Sequence, residues 1–192
     1  LKDLTTQELV LQMQQGSLEA LGKLYDQYNR MVYRTALAIL GDGEQAADLL
    51  QEVFLRLYRF ADRIEAERPL EPWLYRMTAN LSYTWAKRRR WQQPLEDIAE
   101  WFSGDESRQP VQVLEAHETS LKLEEAIQSL PVAQRTVVVM HYINDASLEE
   151  IAEMLEVPVG TVKSRLYYAR RTLKRRLDRS GGLTTEVQYE FT

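Results

Sequence analysis

Residues 147–176, SLEEIAEMLEVPVGTVKSRLYYARRTLKRR, leave this chain fewer structural choices than any other stretch. Ser147 and Glu150 stand at capping-box spacing: the hydroxyl accepts the N–H of the third helical residue and the carboxylate reaches back. A helix is therefore expected to begin at Leu148. Leu148, Ile151, Ala152 and Leu155 follow at i, i+3, i+4 and i+7, one apolar stripe two turns long, before Glu156-Val157-Pro158 interrupts it. A second helix restarts near Pro158, a residue tolerated in a first turn. Val162, Leu166, Ala169 and Leu173 share one face of it. Ser164, Tyr168, Arg171 and Arg175 share the opposite face, flanked by Thr161, Lys163, Arg165 and Tyr167. An apolar back and a basic, hydroxyl-rich front suit a helix that rests on its own domain while entering a major groove, where Arg can fork to guanine. A basic face alone is usually only a solvated surface. The capped short helix, the Pro-bearing turn and the long basic helix together favour helix-turn-helix DNA recognition.

The preceding residues extend a helical pattern over nearly the whole chain. In residues 1–92, Thr5 and Glu8 form a second capping box, Leu9, Val10 and Met13 follow, and Gly16 is a stop. Leu21, Leu24, Tyr25, Tyr28, Val32, Ala36 and Ile39 hold helical spacing from about Leu18 to Leu40, and all are expected in a core. A third helix is expected from about Glu44 to Arg63, with Ala47, Leu50, Phe54, Leu57 and Ala61 inward and Asp48, Glu52, Leu55 and Arg59 outward. An exposed leucine framed by charge suits a docking surface and is equally an ordinary surface residue, and geometry alone leaves the two even. After the charged connection 61–70, a helix from Pro72 to about Trp91 turns Leu74, Met77, Leu81 and Trp85 inward. Its other face presents Arg76, Asn80, Tyr83, Lys87 and Arg90, a set that can stack on, read and track an unpaired nucleic-acid strand, or simply face solvent.

From Gln92 to about Glu118 the pattern breaks. Pro94, Gly104 and Pro110 interrupt any long helix and acidic residues dominate, which makes an interdomain linker, with LEDIAEWF as a short amphipathic exception. About 25 residues can extend on the order of 80 Å, enough for two modules to reach DNA sites one or two helical turns apart, roughly 35 to 70 Å. The second domain opens near Thr119, with one helix carrying Leu121, Leu123, Ala126, Ile127 and Leu130 and another from Pro131 to Ile143. Val137-Val138-Val139 favours a strand by propensity, but its helical neighbours override that. The expected organisation is all-α: helical domains at 1–92 and 119–178, an acidic linker at 93–118, and a flexible tail at 179–192.

A formal net charge of −5 argues against simple nucleic-acid binding until its distribution is considered. Cations concentrate in Lys87-Arg88-Arg89-Arg90 and in 163–179, while the middle of the chain is acidic. Two basic patches on an acidic body bind bare DNA weakly, so a larger partner is expected to hold the chain in place. With no cysteine, no disulfide or thiol chemistry is available. No apolar run reaches the ~18 residues of a membrane span, and no secretory signal opens the chain, so no membrane contact and a cytoplasmic location are expected. Phosphate-cradling glycine loops, nucleophile elbows and zinc-protease motifs are missing, and His117 and His141 are too far apart to start a metal site. The chain is read as a non-enzyme with no catalytic residues, cofactor or metal.

Three segments carry a family resemblance. LEEIAEMLEVPVGTVKSRLYYARRTLKRRL resembles region 4 of the extracytoplasmic-function (ECF) sigma factors, with Glu156 where many members have Gly and Tyr168 where many have a basic residue. DLLQEVFLRLYRF resembles the region 2 segment that binds the clamp helices of the polymerase largest subunit, and PWLYRMTANLSYTWAKRRR the region 2 helix that meets the −10 element. The resemblance implies core RNA polymerase and promoter DNA as partners. An anti-sigma factor is the usual further partner of this family. It assigns polymerase docking to Asp48, Gln51, Glu52 and Leu55, and −10 opening to Arg76, Asn80, Tyr83 and Lys87. The −35 duplex falls to Thr161, Lys163, Ser164, Arg165, Tyr168 and Arg171. The competing readings are a stand-alone helix-turn-helix repressor or activator, dimeric on a palindrome, and a protein-interaction bundle that only looks DNA-binding.

Overall fold

The computed structural model describes residues 4–92 and 115–179, with backbone alone at 89–92, 115–120 and 179. The expected acidic linker up to residue 114, the side chain of Arg90 and the tail from residue 180 lie outside the described residues. Those residues form eight α-helices and one 3-10 turn, with no strand among them.

Helix α1 (Thr6–Gln14) starts at the anticipated capping box: the Thr5 amide donates to Glu8 at 2.8 Å and the Glu8 amide to Thr5 Oγ1 at 3.2 Å. Helix α2 (Leu18–Leu40) is capped by Ser17 and stopped by Gly41 at φ 72°, a left-handed position that glycine occupies without strain. Leu24, Tyr28, Val32, Ala36 and Ile39 are buried as expected. Tyr25 is not: it lies 37% exposed, edge-on to Phe54 with ring centroids 4.9 Å apart.

Helix α3 (Gly43–Arg59) begins at Asp42, whose carboxylate accepts from the Glu44 and Gln45 amides. It ends four residues before the expected Arg63, because Phe60 leaves helical geometry and Ala61–Arg63 tightens into the 3-10 turn. Its buried face is Ala46, Leu49, Leu50, Val53, Phe54 and Leu57, wider than the single expected stripe, and Ala47 is only half-buried. The width follows from position, since α3 packs against both α2 and α4 (Glu71–Gln92).

The connection before α4 is less solvated than its polar composition suggests. Ile64, Ala66 and Leu70 are buried, and the Gln14 side chain donates to the Ala61 and Ile64 carbonyls at 3.0 and 2.8 Å. Tyr28 Oη donates to Glu71 at 2.9 Å and so pins the start of α4 to α2. Burial, with Glu71 adding a smaller push, raises this hydroxyl above its ordinary pKa.

The second half contains α5 (Glu115–Gln128), α6 (Val132–Tyr142), α7 (Leu148–Leu155) and α8 (Val159–Arg179). Val137, Val138 and Val139 are helical and buried, so tertiary packing has overridden their strand propensity. Leu121 and Leu123, expected to mark the inner face of α5, are each 42% exposed. The two apolar cores do not divide where the sequence does. Ile39 of α2 and Ala79 of α4 are fully buried in the second cluster, among Leu130, Val137, Met140, Ile151, Val162 and Leu166.

Candidate nucleic-acid interface

The helix-turn-helix is built from its caps outward. Ser147 donates its amide to Glu150 at 2.8 Å and accepts the Glu150 amide at 3.2 Å, and these bonds hold the Glu150 carboxyl below its ordinary pKa. Helix α7 closes at Glu156, which takes the left-handed conformation at φ 54°. The Pro158 carbonyl then accepts from Thr161 at 2.8 Å and opens α8. Val162, Leu166 and Ala169 are buried and hold α8 on its domain. Thr161 and Arg165 are half-buried at the edge of the contact, while Lys163, Ser164, Tyr168 and Arg171 are exposed. The Ser164 hydroxyl donates to the Thr161 carbonyl at 2.9 Å, which leaves its oxygen as an outward acceptor. Tyr167 and Tyr168, each 55% exposed, pack edge to face with centroids 5.4 Å apart. The structure therefore gathers all six residues of the sequence-derived duplex set on one helix. Beside them, Arg170 lies over the Tyr142 ring, 5.5 Å from its centroid.

On α4 the expected strand-reading residues share an outward arc, with Arg76 and Lys87 exposed and Asn80 and Tyr83 half-buried. A third face was not foreseen: Thr78, Ala79 and Ser82 are buried, and Ala79 packs with the second domain. Arg76 approaches Glu156, at the turn of the helix-turn-helix, to 3.8 Å. The Tyr75 hydroxyl is pushed above its ordinary pKa by burial first, then by the negative charges of Glu71 and Asp145.

On α3, Asp48, Gln51 and Leu55 are exposed, Leu55 at 59%. Glu52 is half-buried and bonded to Arg56 at 2.6 Å, an i,i+4 pair that fixes the carboxylate along the helix. Tyr58 continues the apolar part of this surface beside Leu55. No cluster of three or more potential metal ligands occurs among the described residues, and no helix there is long and apolar enough to cross a membrane.

Comparison with known proteins places both halves. Residues 24–92 match the family Sigma-70 region 2, and residues 120–173 match Sigma-70, region 4. The ECF RNA polymerase sigma factor SigW of Bacillus subtilis (strain 168) is 30% identical over 176 residues, spanning 88% of this chain and 94% of that one. This chain belongs to the ECF RNA polymerase sigma factors. The ECF RNA polymerase sigma-E factor of Escherichia coli (strain K12) is 28% identical over 180 residues, covering 90% of this chain and 94% of its own length. Among solved structures, the sigma factor RpoE in complex with the anti-sigma factor NepR from Bartonella quintana shares the fold. It has a TM-score of 0.62 at 18% identity and covers 84% of this chain and 98% of that one. As an ECF sigma factor the chain is a transcription-initiation factor, not a stand-alone regulator.

Arg135 and Gln128 were not singled out from the sequence. Arg135 sits in α6, 7% exposed, and donates to the carbonyls of Ile39 at 2.8 Å, Gln128 at 2.5 Å and Leu130 at 3.0 Å, and to Gln128 Oε1 at 2.5 Å. Burial pushes its pKa down to about 10. One signal was available: Arg135 is the lone charge in VAQRTVVVM, two residues before the apolar run Val137 to Met140, where a cation packed on a core needs partners.

Proposed function

We propose that the chain docks on core RNA polymerase through α3, reads a −35 duplex with α8 and stabilises an opened −10 strand on α4. The two modules are taken as residues 1–92 and 119–178. The observation that carries the reading is the pairing of two different nucleic-acid surfaces on one chain. Helix α8 offers forks, hydroxyls and rings to a major groove, whereas α4 offers Asn80, Tyr83 and cations to exposed bases. Asp48, Gln51, Glu52 and Leu55 form the polymerase contact, an apolar spot framed by acid. No ATP site is needed, since contacts to unstacked bases offset a melting cost of about 1.4 kcal/mol per base step. The chain works in the cytoplasm without catalytic residues of its own. An anti-sigma factor holds it inactive by covering the same surfaces.

The test is binding in three parts: purified chain with the host cell's core polymerase, with a pool of duplexes randomised at two spaced segments, and with both together. Selection of a common two-part site only in the ternary mixture is the expected result. Tight selection of a palindrome by the chain alone would favour a dimeric repressor instead. Substituting Asp48 and Glu52 together is expected to abolish polymerase association while circular dichroism stays unchanged.

A further inference from the structure

Helix α8 rests on its domain through Val162, Leu166 and Ala169, all buried. At about 3.6 residues per turn, the positions opposite that anchor are Ser164, Tyr168 and Arg171, and all three are exposed. On a helix lying in a major groove, this line goes deepest toward the base edges, while the flanks meet the phosphate walls. Ser164 and Arg171 bring a hydroxyl and a guanidinium to it. Tyr168 brings a ring. It is 55% exposed, as is Tyr167, and the two rings stand edge to face with centroids 5.4 Å and planes 77° apart. Among the described residues of α8 they are the two exposed large apolar side chains. Each ring restrains the other, and a tyrosine has few torsions to lose when it is covered, so the pair offers apolar area already arranged for contact.

We propose that Tyr168 is a specificity-determining residue for the −35 duplex, which selects a thymine by packing its ring against the 5-methyl group, with Tyr167 positioning that ring. The proposal rests on the reading of α8 as the duplex-reading helix and names the base that this part of it takes. Thymine alone among the four bases presents a methyl group in the major groove, and apolar side chains are what distinguish it. The neighbours of Tyr168 serve other needs: arginine forks to guanine, and the Ser164 hydroxyl suits either base. Unlike Lys163 and Arg171, the phenol brings no positive charge to neutralise a phosphate. Its gain on binding comes from covering apolar surface, and the thymine methyl is the apolar group that a base edge supplies.

The test uses the full chain assembled with the host cell's core polymerase and a −35 segment selected from randomised duplexes. Each thymine of that segment is replaced in turn by deoxyuridine, which deletes the methyl group and keeps every hydrogen-bonding group. At one position the replacement should weaken promoter binding about three- to fivefold, the effect of uncovering one methyl group. Tyr168→Phe should keep that discrimination. Tyr168→Ala should bind thymine and deoxyuridine alike there, with circular dichroism unchanged. Tyr167→Ala should shrink the preference at the same position and Tyr167→Phe should restore it; an undiminished preference in Tyr167→Ala would remove Tyr167 from the proposal. Discrimination that survives Tyr168→Ala, or a selected segment indifferent to deoxyuridine throughout, would overturn the proposal and leave α8 as the duplex reader. A loss in Tyr168→Ala that is equal on every sequence would mean a backbone contact only and would overturn it too. Failure of the polymerase-bound chain to select any −35 segment would instead remove the duplex reading itself, and this proposal with it.

Discussion

Two residues flanking the short helix α7 show how local chemistry sets the geometry of the DNA-reading unit. Ser147 caps its start through two reciprocal bonds with Glu150, and Ser147→Ala should cost about 1 kcal/mol of stability. The Glu150 half of that bond is pH-dependent. Its carboxyl is held below the unfolded value of about 4.3, so the contribution is present above that value and disappears as pH falls through the lower, folded one. Urea denaturation of Glu150→Gln and its parent should therefore differ most near neutrality and converge in acid. At the other end, Glu156 holds φ 54° without the freedom of glycine. Glu156→Gly should raise the urea midpoint, by less than the roughly 1–2 kcal/mol that the left-handed conformation costs a residue with a Cβ, because glycine also loses more chain entropy on folding. The Arg76 contact it removes is long and solvent-exposed, so its loss is too small to reverse that sign.

Among the elements, the face of each helix that meets its main neighbour was legible in the sequence, and residues buried against further neighbours were not. Helix α7 buries Ile151 and Ala152 of its expected stripe, leaves Leu148 and Leu155 half-buried and buries Met154 outside it, while α8 keeps Val162, Leu166 and Ala169 inward as expected. Helix α3 packs on α2 and α4, and α4 on α2, α3, α6 and α7, so Ala46, Thr78 and Ser82 are buried where a one-face reading leaves them outside. Tyr25 errs in the opposite sense, because its ring packs across the edge of α3 rather than into the core. The candidate duplex set on α8 was readable because exposed cations and rings need no long-range partner to be recognised. Arg135 was not, since one of its partners, the Ile39 carbonyl, lies 96 positions away along the chain. The duplex assignment makes a sharp prediction. Arg165→Ala should lose ~1–3 kcal/mol at the selected −35 site if the guanidinium forks to a guanine, whereas Lys163→Ala should weaken all sequences alike and flatten the salt dependence by about one ion. Fluorescence anisotropy of the ternary complex at several salt concentrations separates the two behaviours.

For the whole molecule, the decisive property is that the second core is completed by residues of the first domain. Ile39 is fully buried among Leu130, Val137 and Met140, although its helix belongs to the N-terminal bundle. Unfolding of either half should therefore strip contacts from the other, and the chain should melt as one cooperative unit. The distribution of tryptophan makes this measurable. Trp73 and Trp85 lie on α4 and no tryptophan occurs after residue 101, so intrinsic tryptophan fluorescence carries no signal from α5 to α8, while far-ultraviolet circular dichroism follows every helix. In the unmodified chain the two signals should share one urea midpoint. Ile39→Ala removes a buried side chain that bridges the halves, at a cost of about 2–5 kcal/mol. Most of that loss falls on the second core, so the circular-dichroism curve should broaden and begin at lower urea, while the fluorescence midpoint moves less. Coincident transitions in the variant would mean that the remaining contacts between the halves, the Gln128 and Arg135 bonds to the end of α2, Thr35 with Asn144 and the burial of Ala79, still couple them, and Ile39→Ala combined with Gln128→Ala should then weaken that coupling further.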